Sequence, residues 1–190
     1  MQLHFDPAVE LNKEQRYGKA YYSTVFEQPA EDIWAIVRDF NNYSVWLADS
    51  ESRIENGKSG DAVGAIRNVR IADRTIRQRL LAHSDIDRVQ TYAFCDAAPF
   101  PVENYQATLR ITPIVDGNRS FVEWWATFDC RPEDHVGWTH YFAHEGFAKW
   151  LESLRRHLFV PGQHSSGRSR CQPWTSVTVD QCPFAALVPW

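Results

Sequence analysis

The chain lacks several features that would place it in a specialised class of protein. No run of 18 apolar residues occurs, so a membrane-spanning helix is not expected. The N-terminal segment carries charges throughout and has no apolar centre, unlike a secretory signal peptide. A net charge of -4 gives no general attraction to nucleic acid or to anionic membranes. We therefore expect a cytoplasmic protein with no nucleic-acid partner and no membrane insertion.

The four cysteines also lack the close paired spacing of a zinc site. Cys95 and Cys130 lie in strand-like runs, and Cys171 and Cys182 lie near the C-terminus. We expect free thiols and neither a disulfide framework nor a bound metal.

Aromatic residues, by contrast, are plentiful, with eight Trp, seven Tyr and 11 Phe. Hydrophobic residues make up 44% of the chain and charged residues 23%, the profile of a soluble globular protein. A chain of 190 residues is long enough to bury a substantial core. The flat apolar surface of so many rings suits a packed core or an aromatic-lined pocket.

The spacing at which apolar residues recur changes along the chain. Residues 19–28 are aromatic and β-branched and predict a strand, and residues 29–40 carry helical spacing. A loop or second short helix follows, and from about 132 to 159 the pattern is helical again. Between them a period of two predicts six strands, at 51–57, 64–72, 75–84, 89–96, 103–115 and 119–130.

This order of elements predicts one α+β domain. Consecutive strands with short connections favour an antiparallel sheet, and the long C-terminal helix is the only large cover for its apolar face. We predict a curved seven-stranded antiparallel sheet around that helix, with short helices after the first strand and an internal cavity between sheet and helix. The domain would span 18–160, between an N-terminal extension at 1–17 and a flexible tail at 161–190.

Arg67 is the first candidate for a functional residue. Strand alternation places it on one face with Val69 and Ile71. If that face is inward, a guanidinium in a dry pocket is well suited to stabilise negative charge that develops on an oxygen. If the face is outward, Arg67 would instead pair with an acidic neighbour.

Glu103 and Tyr105 share one face of a later strand with Ala107, Leu109 and Ile111. That face is apolar and expected to be inward, so Tyr105 could donate a hydrogen bond or a proton to a ligand. Glu103 would lie at the strand's entrance, where partial desolvation raises the pKa of a carboxylate and suits it to act as a general base. Alternatively, Tyr105 is a core residue without a functional role, and Glu103 is an exposed charge at the start of the strand.

The stretch GWTHYFAHEGFAKWL places His140 and His144 four residues apart. At 100° per residue His140 falls on the apolar stripe of the helix and His144 on its shoulder, so both would approach the cavity. Metal binding needs a third ligand, which leaves a core role or an acid–base role for His140. The aromatic and other residues expected to line the cavity are Trp34, Tyr43, Trp46, Tyr92, Trp124, Phe128, His144 and Phe147.

Four segments carry a resemblance to a known superfamily. They are IWAIVRDFNNYSVW (33–46), VGAIRNV (63–69), PVENYQATLRITPI (101–114) and FVEWWATFDC (121–130). The chain resembles the SRPBCC, or START-like, superfamily of birch-pollen-allergen-like helix-grip domains, and within it the polyketide cyclase/dehydrase branch that includes lachrymatory-factor-synthase-like proteins. The resemblance implies a helix-grip fold and gives Arg67 the position of the arginine that holds the substrate's oxyanion.

The resemblance also implies a function. A cofactor-independent dehydratase, cyclase or isomerase would act on a small apolar or polyketide-like carbonyl compound, with Arg67, Glu103, Tyr105 and His140 as the catalytic candidates. The alternative is a carrier of a hydrophobic small molecule, and a homodimer is possible in either case. The chain departs from the synthase-like pattern at Ser84, where an acidic residue is expected, and Asp85 follows immediately.

A chain truncated after Val160 should unfold as cooperatively as the full chain, because the tail is rich in Pro, Ser and Gly and follows the last core element. Differential scanning calorimetry of the two chains measures this. Loss of the cooperative transition on truncation would show that the tail completes the core.

Overall fold

The computed structural model describes residues 16–47, 50–55, 57–71, 74–96 and 100–159. The predicted tail at 161–190 lies outside this part of the chain. So does the predicted extension at 1–17, apart from its last two residues, which open the first strand.

Seven antiparallel strands form one sheet, which confirms the predicted fold class. In spatial order the sheet runs β1-β7-β6-β5-β4-β3-β2, so the first strand pairs with the last and β2 lies at the other edge. The strands are β1 (Arg16–Phe26), β2 (Ser50–Ile54), β3 (Ile66–Ile71), β4 (Arg74–Ser84), β5 (Val89–Phe94), β6 (Glu103–Ile114) and β7 (Arg119–Cys130).

The helices lie where the sequence predicts them. Two short helices, α1 (Ala30–Val37) and α2 (Tyr43–Trp46), follow β1. The long C-terminal helix opens with a 3-10 turn at Pro132–Asp134 and continues as α3 (His135–His140), a π-helical segment (Tyr141–Ala148) and α4 (Lys149–Leu158). No helix in the described ranges is both long and apolar enough to cross a membrane.

The core lies between the concave face of the sheet and the long helix. Every second residue is buried there in β7 from Ser120 to Cys130 and in β6 from Tyr105 to Ile111, as the period of two predicts. Trp124 of β7 stacks on Phe147 of the helix with ring centres 5.1 Å apart. The buried side chains of these strands and the helix include Tyr105, Ala107, Leu109, Ile111, Val122, Trp124, Ala126, Phe128, Phe142, Phe147, Leu151 and Leu154.

The predicted phase of the long helix is wrong in its first half. Val136 is 77% exposed and His140 is exposed, whereas Phe142 and Phe147 are both buried. The cause is the π-helical segment, whose hydrogen bonds span five residues, so that Phe142 and Phe147 can share one side. A regular α-helix advances by about 100° per residue, and the π-helical segment does not. The regular spacing therefore predicts the wrong inward residues in the part of the helix that precedes this segment.

Glycine at position 18 allows β1 to approach a buried ring. A Cβ built there would lie 2.6 Å from the Phe128 ring, which the long helix and β7 hold in the core. We expect Gly18→Ala to lower the free energy of unfolding by about 1–3 kcal/mol, because the ring has no free space to move into. Urea denaturation measures the change.

Gly137→Ala is the matched control. A Cβ on Gly137 meets nothing within 4 Å, and the residue lies inside α3, where alanine has the higher helix propensity. This variant should be as stable as the natural chain or up to about 1 kcal/mol more stable. Equal effects of the two substitutions would contradict the argument from packing.

Candidate functional site

Arg67 is the only charged side chain that is buried within the described part of the chain. Its exposed fraction is 3%, and its strand neighbours Ala65 and Val69 are buried with it. The intervening residues Ile66 and Asn68 are only half-buried. Of the two faces that the sequence left open for Arg67, the structure shows the inner one.

Neutral groups hold this cation in place. Arg67 Nη1 donates to the carbonyl oxygen of Phe40 at 2.6 Å, and Nε and Nη2 both donate to Gln78 Oε1, with Nε at 3.2 Å. The guanidinium carbon lies 3.8 Å from the ring centre of Phe40 and 4.4 Å from that of Tyr43, within the range of cation–π attraction. None of the ion pairs between described residues includes Arg67.

Burial lowers the pKa of Arg67 to about 10, because the low dielectric of the core disfavours the charged form. The group therefore stays protonated at neutral pH. A buried charge without a charged partner costs folding free energy. An anionic or polarised oxygen that reached this guanidinium would form a charge-assisted hydrogen bond with it.

Three buried tyrosines surround the guanidinium. The hydroxyls of Tyr92 and Tyr105 share a hydrogen bond, and Trp124 Nε1 donates to Tyr92 Oη at 3.1 Å. The Tyr92 ring centre lies 5.5 Å from the guanidinium carbon of Arg67. Burial raises the pKa of Tyr92 to about 12 and the pKa values of Tyr43 and Tyr105 well above their usual range. At neutral pH all three hydroxyls are protonated and can donate hydrogen bonds.

The end of α1 and the segment after it are anchored to three strands by side chains that donate to their carbonyl oxygens. Gln90 Nε2 donates to Val37 at 3.3 Å, and His83 Nε2 donates to the carbonyl of residue 38 at 3.0 Å. Arg67 supplies the bond to Phe40. Arg67 thus has a structural role beside any functional one, since it helps to satisfy the backbone that follows the helix.

Gln78, Phe40 and Gln90 were not predicted as site residues. Gln78 lies directly opposite Arg67 in the β3–β4 pair, so the hairpin register carries a signal for it. The Phe40 carbonyl comes from the distant segment after α1, and no local pattern points to it. Gln90 Oε1 is buried without a hydrogen-bond partner, which leaves an acceptor on the inner face of β5.

Most of the aromatic residues predicted to line a cavity are indeed buried. The rings of Tyr43 and Trp46 are 4.7 Å apart, and Trp46 packs at 6.4 Å from Trp124. Phe128 packs against the long helix through Phe142. Trp34 differs, because its indole N–H donates to Asp85 at 2.8 Å and its ring packs on His83. The rings of Phe40, Tyr43 and Tyr92 lie directly next to Arg67, with centres 3.8, 4.4 and 5.5 Å from the guanidinium carbon.

His140 and His144 do not lie inside. Both are exposed, with ring centres 4.7 Å apart on the outer side of the long helix. The acid–base role expected for His140 rested on an inward position, and it is withdrawn with that position. His144 likewise lies too far outside to line a core site. Among the residues that the structure describes, no three His, Cys, Asp or Glu side chains form a group able to hold a metal ion.

Glu103 is exposed although it was predicted to share the inward face of Tyr105. The pairing of β6 with β7 shifts between Glu103 and Gln106, and Asn104 has a positive φ of 52°. This β-bulge breaks the alternation, so Glu103 turns outward while Tyr105 stays inward. Both residues nevertheless line one surface pocket of about 590 Å³, so Glu103 lies at its rim.

Asp85 does not replace the acidic residue of the synthase-like pattern. Arg38 donates to both of its carboxylate oxygens, at 3.0 and 2.8 Å, and Trp34 adds a third bond. These donors hold the pKa of Asp85 well below its usual range, with the Arg38 hydrogen bonds as the largest cause. A carboxylate held ionised in this way is a weak proton acceptor.

The chain belongs to the polyketide cyclase/dehydrase and lipid transport family, whose model matches residues 18–158. The resemblance to the superfamily is thereby confirmed. Membership supports a role in binding an apolar small molecule or in cyclase-like chemistry. No curated protein shows significant similarity to the chain.

Several solved structures share the fold. The protein XoxI from Bacillus cereus is 28% identical, with a TM-score of 0.64 over 73% of this chain and 94% of its own. A protein from Thermobifida fusca is 29% identical, with a TM-score of 0.64 over 73% and 92%. Truncated norcoclaurine synthase from Thalictrum flavum is 12% identical, with a TM-score of 0.61 over 76% and 95%, and shows likeness of fold alone.

Raising the pH above about 10 should destabilise the fold. Tyrosines of an unfolded chain ionise near 10, whereas Tyr92 keeps its proton to about 12, so the folded state binds more protons in this window. Stability therefore falls as the pH rises through it, by at most about 2–3 kcal/mol for Tyr92. Arg67 has the opposite effect on stability, because its pKa is lowered in the folded state, which therefore loses this proton before the unfolded state does. We expect the three tyrosines together to outweigh this single group.

Urea denaturation at neutral pH and at a pH of about 11 measures this loss. Tyr92→Phe removes one of the three groups and should make the loss smaller. An equal loss in both proteins would show that Tyr92 does not hold its proton in the fold.

Proposed function

We propose that this domain binds an apolar small molecule in the core around Arg67, with the guanidinium holding an oxygen at the polar end of the ligand. The observation that carries the proposal is a buried cation that forms no ion pair with a carboxylate among the described residues. Such a charge is expensive to bury, and its cost is offset when a ligand supplies the missing oxygen. The surrounding rings supply apolar contact for the rest of the ligand.

The protonation states favour binding over acid–base catalysis. A general base works best with a pKa near the operating pH. The inward titratable groups next to Arg67 are tyrosines whose pKa values are raised, so they keep their protons at neutral pH. His140 and Glu103, two of the candidates for proton transfer, are exposed. A carrier or binding protein therefore fits the inward set of groups best.

A cyclase, dehydratase or isomerase is the second candidate. One arrangement favours it, namely the hydrogen-bonded pair of Tyr92 and Tyr105 beside Arg67. Tyr105 donates to Tyr92, which leaves the Tyr92 proton free, and this donor together with the cation would stabilise the enolate formed from a carbonyl bound beside them. Such chemistry needs only proton movement and an oxyanion site, so the second candidate includes no cofactor.

Ligand entry requires movement of aromatic rings. Phe40 and Tyr43 lie directly against the guanidinium, and Phe40 also uses its carbonyl oxygen to hold it. An incoming oxygen must take the place of at least one of these contacts. The apparent affinity will therefore be lower than the intrinsic affinity by the fraction of molecules that are open.

Arg67→Met should weaken ligand binding by roughly ten- to a hundred-fold, since a hydrogen bond to a charged group contributes about 1.5–3 kcal/mol. Stability should change less, because methionine fills similar space and the variant loses the desolvation cost together with the hydrogen bonds. Native mass spectrometry of compounds that co-purify with the protein measures retention, and thermal unfolding measures stability.

Arg70→Met is the matched control, because Arg70 lies on the same strand but is exposed and paired with Glu51. It should retain the compound. If Arg67→Met also retains the compound at full occupancy, Arg67 is structural and the proposal is wrong. The fate of the compound separates the two candidates, since a carrier returns it unchanged and an enzyme converts it.

A further inference from the structure

The strand β1 forms the longer of the two edges of the sheet. It has 11 residues and no proline, and β7 is its one neighbour among the described strands. The strand at the other edge, β2, has five residues. A long edge strand presents a row of backbone N–H and C=O groups that can pair with a further strand. Of the two edges, β1 is therefore the one better suited to take such a strand.

The backbone of β1 directs the groups of alternate residues to this edge. The carbonyl oxygen of Val25 accepts a hydrogen bond from Arg155 Nη2 at 3.0 Å, which places that oxygen on the side away from β7. Residues two apart in an antiparallel strand direct their backbone groups to the same side. The N–H and C=O groups of Lys19, Tyr21 and Ser23 therefore face the edge as well. The Val25 oxygen keeps a second lone pair for a partner strand.

The side chains of these residues form an exposed apolar patch on the outer face of the sheet. Tyr21 is 45% exposed and Val25 is 40% exposed. Trp125 and Phe121 of β7 lie directly opposite them in the register and are half-buried. Exposed apolar patches of this kind, rimmed by polar residues, mark contact surfaces between proteins.

The charges at the two ends of the patch make it complementary to itself. Lys19 and Glu27 are both exposed, lie at equal distances on either side of Ser23, and form no ion pair with a described residue. If two copies of β1 pair antiparallel about Ser23, Lys19 of each copy faces Glu27 of the other. Tyr21 then faces Val25, and both kinds of cross-strand pair are favourable. Moving the centre by one residue loses the charge pairing.

The inner side of the same edge has room for a second strand. A surface groove of about 390 Å³ lies between β1 and α4, with Tyr22 and Thr24 on the strand side and Leu151 and Arg155 on the helix side. In the register centred on Ser23, Tyr22 of one copy lies opposite Thr24 of the other. The groove can therefore take the inward side chains of the second copy.

We propose that two copies of this chain associate through β1, antiparallel about a two-fold axis at Ser23, so that their sheets join into one continuous sheet. The same surface is used by both copies, so the contact closes at two and does not propagate. Arg67 of each copy stays within its own core, and this inference is therefore independent of the proposed function.

The test is sedimentation velocity of the full-length chain over a range of protein concentrations, where the natural chain should form a dimer. Lys19→Glu and Glu27→Lys each set like charges opposite one another at both ends of the contact. Each should raise the dissociation constant at least about tenfold. The combined swap, Lys19→Glu with Glu27→Lys, restores opposite charges and should return the dissociation constant to that of the natural chain. Circular dichroism verifies that each variant is folded.

Arg53→Glu is the matched control, because Arg53 is an exposed cation on β2 at the other edge of the sheet. It should leave the dissociation constant unchanged. Ser23→Pro removes the central backbone donor at an edge, where proline is tolerated, and should give a monomer.

A natural chain that stays monomeric up to a concentration of about 1 mM overturns the inference. So does a dimer that persists in both single charge variants. A combined swap that fails to restore the dimer shows that the register is wrong. Dissociation by Arg53→Glu but not by Lys19→Glu places the contact at the β2 edge, and the inference is then wrong. None of these outcomes bears on ligand binding at Arg67.

Discussion

The arrangement of the core depends on a cation that is buried without an ion pair to any of the described residues. Arg67 is held by a carbonyl oxygen, an amide oxygen and aromatic ring faces, and these neutral groups only partly replace the water that it loses. Its bond to Phe40 fixes the segment after α1, and its charge lowers the cost of ionising the neighbouring tyrosines. A substitution of Arg67 would therefore change both the packing of the segment after α1 and the pKa values of the neighbouring tyrosines.

The same charge explains why the core is better suited to hold a polar oxygen than to exchange protons. A guanidinium with a pKa of about 10 and tyrosine hydroxyls whose pKa values burial raises above their usual range do not titrate near neutrality. They form a fixed set of hydrogen-bond donors, which stabilise an oxygen without gaining or losing a proton themselves. Any catalysis in this core would have to work through that donor set, or recruit a base from outside it.

Two local irregularities decide which polar side chains reach the interior. The π-helical segment changes the helix phase so that Phe142 is inward and His140 is outward. The β-bulge at Asn104 turns Glu103 to the rim and opens the end of β5 and β6. Without them the regular periods would have turned the imidazole of His140 and the carboxylate of Glu103 inward. Irregular helices and bulges often lie at functional sites, because they re-aim side chains in this way.

The amino-acid sequence by itself determined the element order, the antiparallel sheet and the inward faces of β6 and β7, so Tyr105 could be predicted as buried, whereas the inward face of β3, and with it the burial of Arg67, was left open. These properties follow from a period of two and from turn residues, which are local features of the chain. Only the tertiary structure decided that Phe40 and Gln78 hold Arg67, that aromatic rings close over it, and that His140 and Glu103 face outward. Contacts between distant segments and the phase through a π-helix or a bulge depend on how the whole core packs, and no short-range pattern encodes that packing.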